Sequence, residues 1–221
     1  HNPVLRIQRS AQDISYNEWL AKEFSNLLTK RSLSTYSVFD ERTQKTYCSS
    51  MFRSMASDLL LPYYERWYPN GNKCVPQDLI LTPLVLAIWF ADDGCIQNVD
   101  KWSLDMKLST EGFSYNETVY LVNLLKETLN RDFKIYLNDG KPNIRGFTDA
   151  SKAFLATIDS VFPPLDRKSN LWRNDDLKLL KGKPAKPMCP KCNIGKVYSY
   201  GIKSNGKKNY KCMDCMSCFV I

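Results

Sequence analysis

The stretch Leu81-Thr-Pro-Leu-Val-Leu-Ala-Ile-Trp-Phe-Ala-Asp-Asp-Gly94 lies near the middle of a 221-residue chain, and more than any other segment it specifies the architecture. Thr82 is a good N-cap, Pro83 fits the first helical turn and Gly94 can close the end, which predicts a short apolar helix over 83–93. Asp92 and Asp93 then fall at the negative pole of the helix dipole, where carboxylates are disfavoured unless a cation compensates. A divalent metal ion would do so. Ala87 and Ala91 are one turn apart and small, so that face can approach another helix closely, while Leu84, Ile88 and Trp89 supply bulk elsewhere. Standing alone, the same pattern reads as a buried core helix whose final aspartates cap the next loop.

Outward from this helix, elements recur in the same order on both sides. Before it, Val4 to Arg9 alternates as a strand, Asp13 can cap a helix reaching Leu28, Ser34 to Phe39 and Gln44 to Phe52 read as strands, and a helix bearing Leu59, Leu60, Tyr63 and Trp67 ends near Pro69-Asn-Gly71. After it, Trp102 to Leu108 alternates, and Ser114 with Glu117 forms a capping-box pattern for a helix reaching about Asn130. Phe133 to Leu137 and Asn143 to Phe147 flank the hairpin signal Asn138-Asp-Gly-Lys141, and a last helix spans Ala150 to Val161. Strand, helix, hairpin, helix occurs twice, as a repeat of pattern without repeat of sequence.

The segment Leu86-Ala-Ile-Trp-Phe-Ala-Asp-Asp-Gly94 resembles the LAGLIDADG motif of homing endonucleases, in the variant with a Leu-Thr-Pro lead-in and a Trp-Phe-x-Asp-Asp-Gly ending. The resemblance continues through Leu108-Ser-Thr-Glu-Gly-Phe113, the helix with Tyr120-Leu-Val122, and the hairpin, as far as Lys168. It implies an α+β fold, two αββαββα halves about a pseudo-two-fold, each offering a saddle-shaped antiparallel sheet to the DNA major groove. It also implies a site-specific, metal-dependent double-strand break in a long target, with Asp93 as catalytic acid and Mg2+ (or Mn2+) ligand, and Asp92 as a weaker second ligand. Lys73 before Val75-Pro76 and Lys168 after Pro163-Pro164 match the family's lysines near the scissile phosphates, where a cation can polarise water or stabilise transition-state charge. The single histidine, His1, is a poor general base, so metal-activated water is favoured over histidine chemistry.

No first motif precedes Val4, and the chain opens with His1 rather than Met. Two expectations follow: an upstream segment was removed or omitted, or the first catalytic carboxylate has been lost and the protein only binds. The alternatives to a nuclease are therefore an RNA maturase assisting group I intron splicing and a catalytically inactive DNA-binding protein. In each case the expected state is a monomer with internal pseudo-symmetry, its partner double-stranded DNA or host intron RNA. Sequence reading would fall to the strand residues Arg6, Gln8, Ser10, Ser37, Lys45, Tyr47, Trp102, Lys107, Lys134, Tyr136, Lys141 and Arg145, which can meet base edges or phosphates if the register is right.

Composition bounds the remainder. With 43% hydrophobic and 12% aromatic residues the chain can bury a core without disulfides, and no apolar run approaches the roughly 18 residues of a membrane span. Of the formal +8, all lies after residue 180, where nine lysines face only Asp214; subtracting them from totals of 31 basic and 23 acidic residues leaves 22 of each. The boundary is the Lys, Gly and Pro stretch 178–187, read as a linker between an endonuclease domain over 1–177 (1–72 the first half, 73–177 the second) and a small module over 188–221. There Cys189-Pro-Lys-Cys192 and Cys212-Met-Asp-Cys215, 19 residues apart, fit a four-thiolate Zn2+ ribbon with strands at Lys196 to Tyr200 and Asn209 to Lys211. Cys218 reads as a spare thiol. Zinc bound to four thiolates adds two negative charges, leaving about +6 to meet phosphates. Cysteines used this way, with no signal peptide, predict a reducing compartment inside the cell, such as bacterial or phage-infected cytoplasm or an organelle, and not secretion.

Overall fold

In the computed structural model, residues 2–99, 103–173, 187–193, 196–202 and 206–220 are described. The chain divides into two compact units, His1–Leu180 and Lys181–Ile221. His1, Trp102 and most of the expected linker, 178–186, lie outside the described residues.

The first unit opens with strand β1 (Arg6–Ser10) and helix α1 (Ile14–Glu23), followed by β2 (Leu33–Asp40), β3 (Lys45–Arg53) and α2 (Leu61–Trp67). The motif helix α3 (Pro83–Asp93) comes next, then β4 (Gly94–Val99), β5 (Leu104–Ser109), α4 (Tyr115–Leu129), β6 (Lys134–Asn138), β7 (Lys141–Gly146), α5 (Thr148–Ile158) and α6 (Asp166–Arg173). The first sheet is ordered β1-β3-β2 and the second β4-β5-β7-β6, antiparallel throughout. The order β5-β7-β6 therefore repeats β1-β3-β2, so the pattern repeat is a repeat of topology as well. Strand β4 is an addition the sequence reading overlooked, because Gly94-Cys-Ile-Gln-Asn-Val99 alternates too weakly to stand out.

Local chemistry explains the element ends. Thr82 Oγ1 accepts from the Val85 amide and Pro83 stands in the first turn of α3, as expected. Ser114 and Glu117 close a reciprocal capping box on α4, and the second Glu117 oxygen accepts from the Val75 amide at 2.8 Å, which ties the Lys73 segment to that helix. Asp139 and Gly140 both adopt positive φ (49° and 75°), as a two-residue type I′ hairpin requires. One expectation fails: Asp13 makes no side-chain cap on α1, because its carboxylate is drawn into ion pairs, and α1 ends at Glu23 in a short 3-10 turn instead of reaching Leu28.

Two cores meet on α3. The larger gathers Leu86, Ala87 and Phe90 with Leu104, Met106, Leu108, Leu125, Ile144, Phe154 and Ile158; the smaller joins Ala91 to Tyr16, Leu20, Phe52 and Leu165. Ala91 thus joins Tyr16 and Leu20 of α1, together with Phe52 of β3 and Leu165 just before α6. Gly94, at the turn out of α3, has no room for more, since a Cβ there would lie 2.2 Å from the Phe90 ring and 2.6 Å from the Phe90 carbonyl oxygen.

The second unit is a three-stranded antiparallel ribbon, β8 (Val197–Ile202), β9 (Lys208–Cys212) and β10 (Cys218–Val220), ordered β10-β9-β8. Its third strand goes beyond the two expected from the sequence.

Candidate active site

The C-terminal end of α3 carries the two motif carboxylates, and the structure gives them different surroundings. Asp92 is engaged: the Arg9 guanidinium donates to its Oδ1, and the Tyr16 hydroxyl donates to its Oδ2 at 3.4 Å. Burial raises the Asp92 carboxyl above its ordinary range although Arg9 stands beside it. Asp93, by contrast, has no side-chain hydrogen bond or ion pair among the described residues. It is exposed, and it is shared by two depressions. One, about 300 Å³, lies along the outer side of α3 and includes Lys73, Trp67, Trp89 and Phe113. The other, about 450 Å³, is lined by Arg6, Gln8, Ser10, Arg9, Asp13, Asp92 and Arg167.

Behind Asp92 runs a chain of charges, buried at Arg9 and Asp13 and solvated at Arg167. Arg9, 8% exposed, lies 4.3 Å over the Tyr16 ring, donates to the Ala91 carbonyl at 2.9 Å and pairs with Asp13 at 3.4 Å. Arg167 forks onto both Asp13 oxygens at 2.7 Å. The Arg167 hydrogen bonds hold the Asp13 carboxyl below the ordinary carboxylate range against the cost of burial. The sequence reading missed this chain, though one signal was present: on β1 the outward residues are Arg6, Gln8 and Ser10, so Arg9 shares the inward side with Ile7. A charge on the core side of a strand needs a partner.

The two expected lysines part company. Lys73 is exposed, its Nζ 4.5 Å over the Phe113 ring, in the depression that Asp93 also lines. Lys168 is buried, and its Nζ donates to the carbonyls of Phe90 (2.9 Å), Ala91 (2.7 Å) and Gly94 (2.6 Å). An ammonium group has three protons, and all three are thereby committed to backbone. In this structure Lys168 therefore meets the carbonyl end of the motif helix, the end at which the resemblance implies a lysine near the scissile phosphates. Burial, with Arg9 and Arg167 nearby, pushes its pKa down to about 8.

Strand register settles which side chains share a face. In the first sheet Gln8 pairs with Met51 and Ser10 with Ser49; Lys45 and Tyr47 follow at alternate positions on the same face as Arg6. Ser37 is opposite Cys48 and turns to the other face. In the second sheet Cys95, Lys107, Arg145 and Lys134 are successive register partners, a transverse row across all four strands. Lys107 pairs with Glu111 at 2.7 Å, the Arg145 guanidinium lies 4.7 Å over the Tyr136 ring, and Lys134 Nζ stands 5.7 Å from the Phe147 ring centre. Lys141 faces Asn138 at the hairpin end. The core-facing row beside them holds buried Leu108 and Ile144, so these cations belong to the opposite, open face.

In the ribbon, the Sγ atoms of Cys189, Cys192, Cys212 and Cys215 all lie within 4.8 Å of one another. Sulfur atoms bound tetrahedrally at about 2.3 Å from zinc stand about 3.8 Å apart, and the Cys189–Cys215 and Cys192–Cys212 separations are 3.6 and 3.5 Å. The donor set and its spacing fit a four-coordinate metal. Ser217 Oγ lies 3.0 Å from Cys215 Sγ and 3.4 Å from Cys189 Sγ, and this hydroxyl lowers the Cys189 thiol to about 6. Cys218 is exposed on β10 and is not one of the four. Ser217 escaped the sequence reading because a hydroxyl two residues from a ligand has no spacing signature.

Residues 1–154 match the model of the LAGLIDADG DNA endonuclease family. The chain belongs to that family. Among relatives, a DNA endonuclease, I-ChuI of Chlamydomonas applanata, is 32% identical over 119 residues, 49% of this chain and 54% of that protein. An uncharacterized protein of Methanocaldococcus jannaschii is 34% identical over 101 residues, 45% of this chain and 39% of its own length. The cytochrome b mRNA maturase bI2 of Debaryomyces hansenii is 36% identical over 81 residues, 36% of this chain and 29% of its own. The chain thus spans little more than half the length of these curated relatives at most. A solved structure, the homing endonuclease I-WcaI bound to its DNA recognition sequence, superimposes with a TM-score of 0.65 at 22% identity, covering 75% of this chain and 74% of that one. It shares the LAGLIDADG fold of mixed helices and antiparallel sheets. Among the described residues, no helix is long and apolar enough to cross a membrane.

Proposed function

We propose that this protein is a metal-dependent, site-specific DNA endonuclease of the homing type, acting on a long double-stranded target. The observation that carries the reading is Asp93: a carboxylate at the end of the motif helix with no side-chain partner among the described residues, open to two depressions, beside two sheets whose open faces carry Arg6, Gln8, Lys45, Lys107, Lys134, Tyr136, Lys141 and Arg145. Asp93 would supply an oxygen ligand to Mg2+ or Mn2+, hard cations that keep several waters and take phosphate oxygens for the rest. Such an ion lowers the pKa of water and neutralises charge at a transferring phosphoryl group.

The protein's own groups do the remaining work. Lys73, in the depression Asp93 lines, can approach the scissile phosphate and offset charge there. Arg9 neutralises Asp92, so that only one of two adjacent carboxylates at a helix C-terminus stays free to bind a metal, which eases their mutual repulsion. The cationic rows supply backbone contacts that fix register, and Gln8 and Arg145 are suited to base edges. In the ribbon, Zn2+ held by Cys189, Cys192, Cys212 and Cys215 would take the place of a core too small to fold alone.

The test is cleavage of the host locus lacking the intervening element, with Mg2+ present and Asp93→Asn as control. Cutting at one site by the native protein and its loss in Asp93→Asn are expected; cutting that survives the substitution would overturn the assignment. The similarity to mRNA maturases favours a second reading, in which the same cationic saddle holds intron RNA. Splicing assistance by Asp93→Asn protein that no longer cuts DNA would establish it.

A further inference from the structure

Lys73 belongs to a segment that the N-terminal cap of α4 holds at two points. Its Nζ lies 4.5 Å over the ring of Phe113, the residue before the Ser114 N-cap, and two residues further along the chain the Val75 amide donates to Glu117 Oε1 at 2.8 Å. Glu117 Oε2 accepts from the Ser114 amide (2.8 Å) and the Ser114 hydroxyl (2.6 Å). Nearly one turn on, the Tyr120 hydroxyl donates to the Gln77 carbonyl at 2.5 Å, and the Cys74 amide donates to the Trp67 carbonyl at 2.8 Å. Pro76 also disfavours the helical region for Val75, which stiffens the bracketed backbone.

Capping alone does not ask for this arrangement. A capping box accepts glutamate or glutamine at its third position, whereas three donors converge on Glu117, and only a carboxylate presents nothing but acceptors to them. Glutamine would turn an NH2 group toward a donor on one side. Val75 is 2% exposed, so without Glu117 its N–H would lose its partner away from water. Burial opposes the charge, yet the hydrogen bonds from Ser114 and Val75 hold the Glu117 carboxyl below its ordinary range.

Resting on the reading of Lys73 as the cation that approaches the scissile phosphate, we propose that Glu117 is a positioning residue for it: the cap of α4 is the seat of Lys73, with Glu117 fixing its backbone and Phe113 its ammonium group. Asp93 and Lys73 line one depression, and each is set from a different helix, Asp93 by α3 and Lys73 by α4. The spacing of metal ligand and cation therefore follows from how α4 begins.

The seat can be read in the native protein without metal or DNA. Ring current from Phe113 should shift the Lys73 ε-methylene protons upfield, and the Val75 amide should exchange slowly with water; unshifted methylene protons or a rapidly exchanging amide would overturn the seat without any substitution. Glu117→Gln should speed exchange at Val75 more than at Leu125 in the same helix. At saturating DNA and Mg2+ it should slow single-turnover cleavage about 10- to 100-fold, the scale on which a misplaced group costs rate. Lys73→Met should slow cleavage at least as much, and combining the two should slow it no further, because residues that act through one another are not additive. Losses that multiply would show that Glu117 acts independently of Lys73, and would sink the proposal. Phe113→Leu keeps apolar bulk but loses the ring, and supplies the same comparison if Glu117→Gln does not fold: its loss should likewise vanish in the Lys73→Met background. A native protein that does not cut DNA fails the nuclease reading, while the methylene shift and the amide exchange still judge the seat.

Discussion

At the scale of single residues, Asp92 and Asp93 show how neighbours with identical side chains acquire different chemistry. Their spacing along the helix turns them about 100° apart, which sends Asp92 to Arg9 and Tyr16 and leaves Asp93 open. Gly94 fixes where that divergence occurs. Its φ of −87° is available to any residue, so the need for glycine comes from space: a methyl group would meet both the Phe90 ring and its carbonyl oxygen. The ring cannot retreat, because Phe154, Phe162 and Trp172 surround it with centroids 5.7–6.2 Å away. Gly94→Ala should therefore cost about 1–3 kcal/mol, as overpacking does, and move Asp93 with it. Urea unfolding measures the first and Mn2+ affinity the second; a variant as stable as native protein would show that the turn relaxes freely.

At the scale of elements, the link between α1 and α6 runs through Asp13, not through apolar packing alone. Its side chain is 2% exposed while Arg167 is 52% exposed, so the pair is anchored at one end and solvated at the other. Hydrogen bonds to a charged group of this kind contribute about 1.5–3 kcal/mol, with the lower part of that range expected here because solvent screens Arg167. Since the native Asp13 carboxyl titrates below its unfolded value, the stabilisation is complete above about pH 4 and drains away as pH falls through the depressed native value. Asp13→Asn should accordingly be less stable than native protein at pH 7, with the gap narrowing as pH falls below about 4 and closing below the depressed native value. A gap that stayed constant from pH 3 to pH 7 in chemical denaturation would exclude the ion pair as its source. The sequence marked Asp13 as a helix cap because Asp before an apolar period usually is one; the competing guanidinium arrives from residue 167 and leaves no local trace.

At the scale of the molecule, the net charge belongs to one unit. The first 180 residues balance, so on the proposed reading an attraction for DNA would depend on placement, with the Lys107, Arg145 and Lys134 row on the open face of the second sheet. The unit Lys181–Ile221 carries nine lysines against Asp214, and its four clustered thiol groups could hold a metal ion. Removing residues 183–221 should flatten the salt dependence of DNA binding, by about 0.9 in logarithmic slope for each phosphate the ribbon lysines would have neutralised, while the cleavage position is kept. An unchanged slope would show that the ribbon stays off the DNA. Zinc chelation should produce the same flattening by unfolding the ribbon, read by release of metal and disappearance of ribbon amide protection.

The motif helix with its caps, the doubled order of elements, the hairpin at Asp139-Gly140, the outward side of β1 and the four thiolates were all legible in the chain before it folds. Each of these is written in residues close together, where periodicity, turn chemistry and ligand spacing act locally. Folding in three dimensions settled which aspartate stays free, that Lys168 is spent on backbone carbonyls while Lys73 is not, and that Arg9, Asp13 and Arg167 form one chain of charge. Apart from the Arg9–Asp13 pair, four residues apart, those outcomes depend on groups 74 to 154 residues apart in sequence brought within hydrogen-bonding distance. A buried charge takes whichever partner the packed core delivers to it, and no local pattern names that partner in advance.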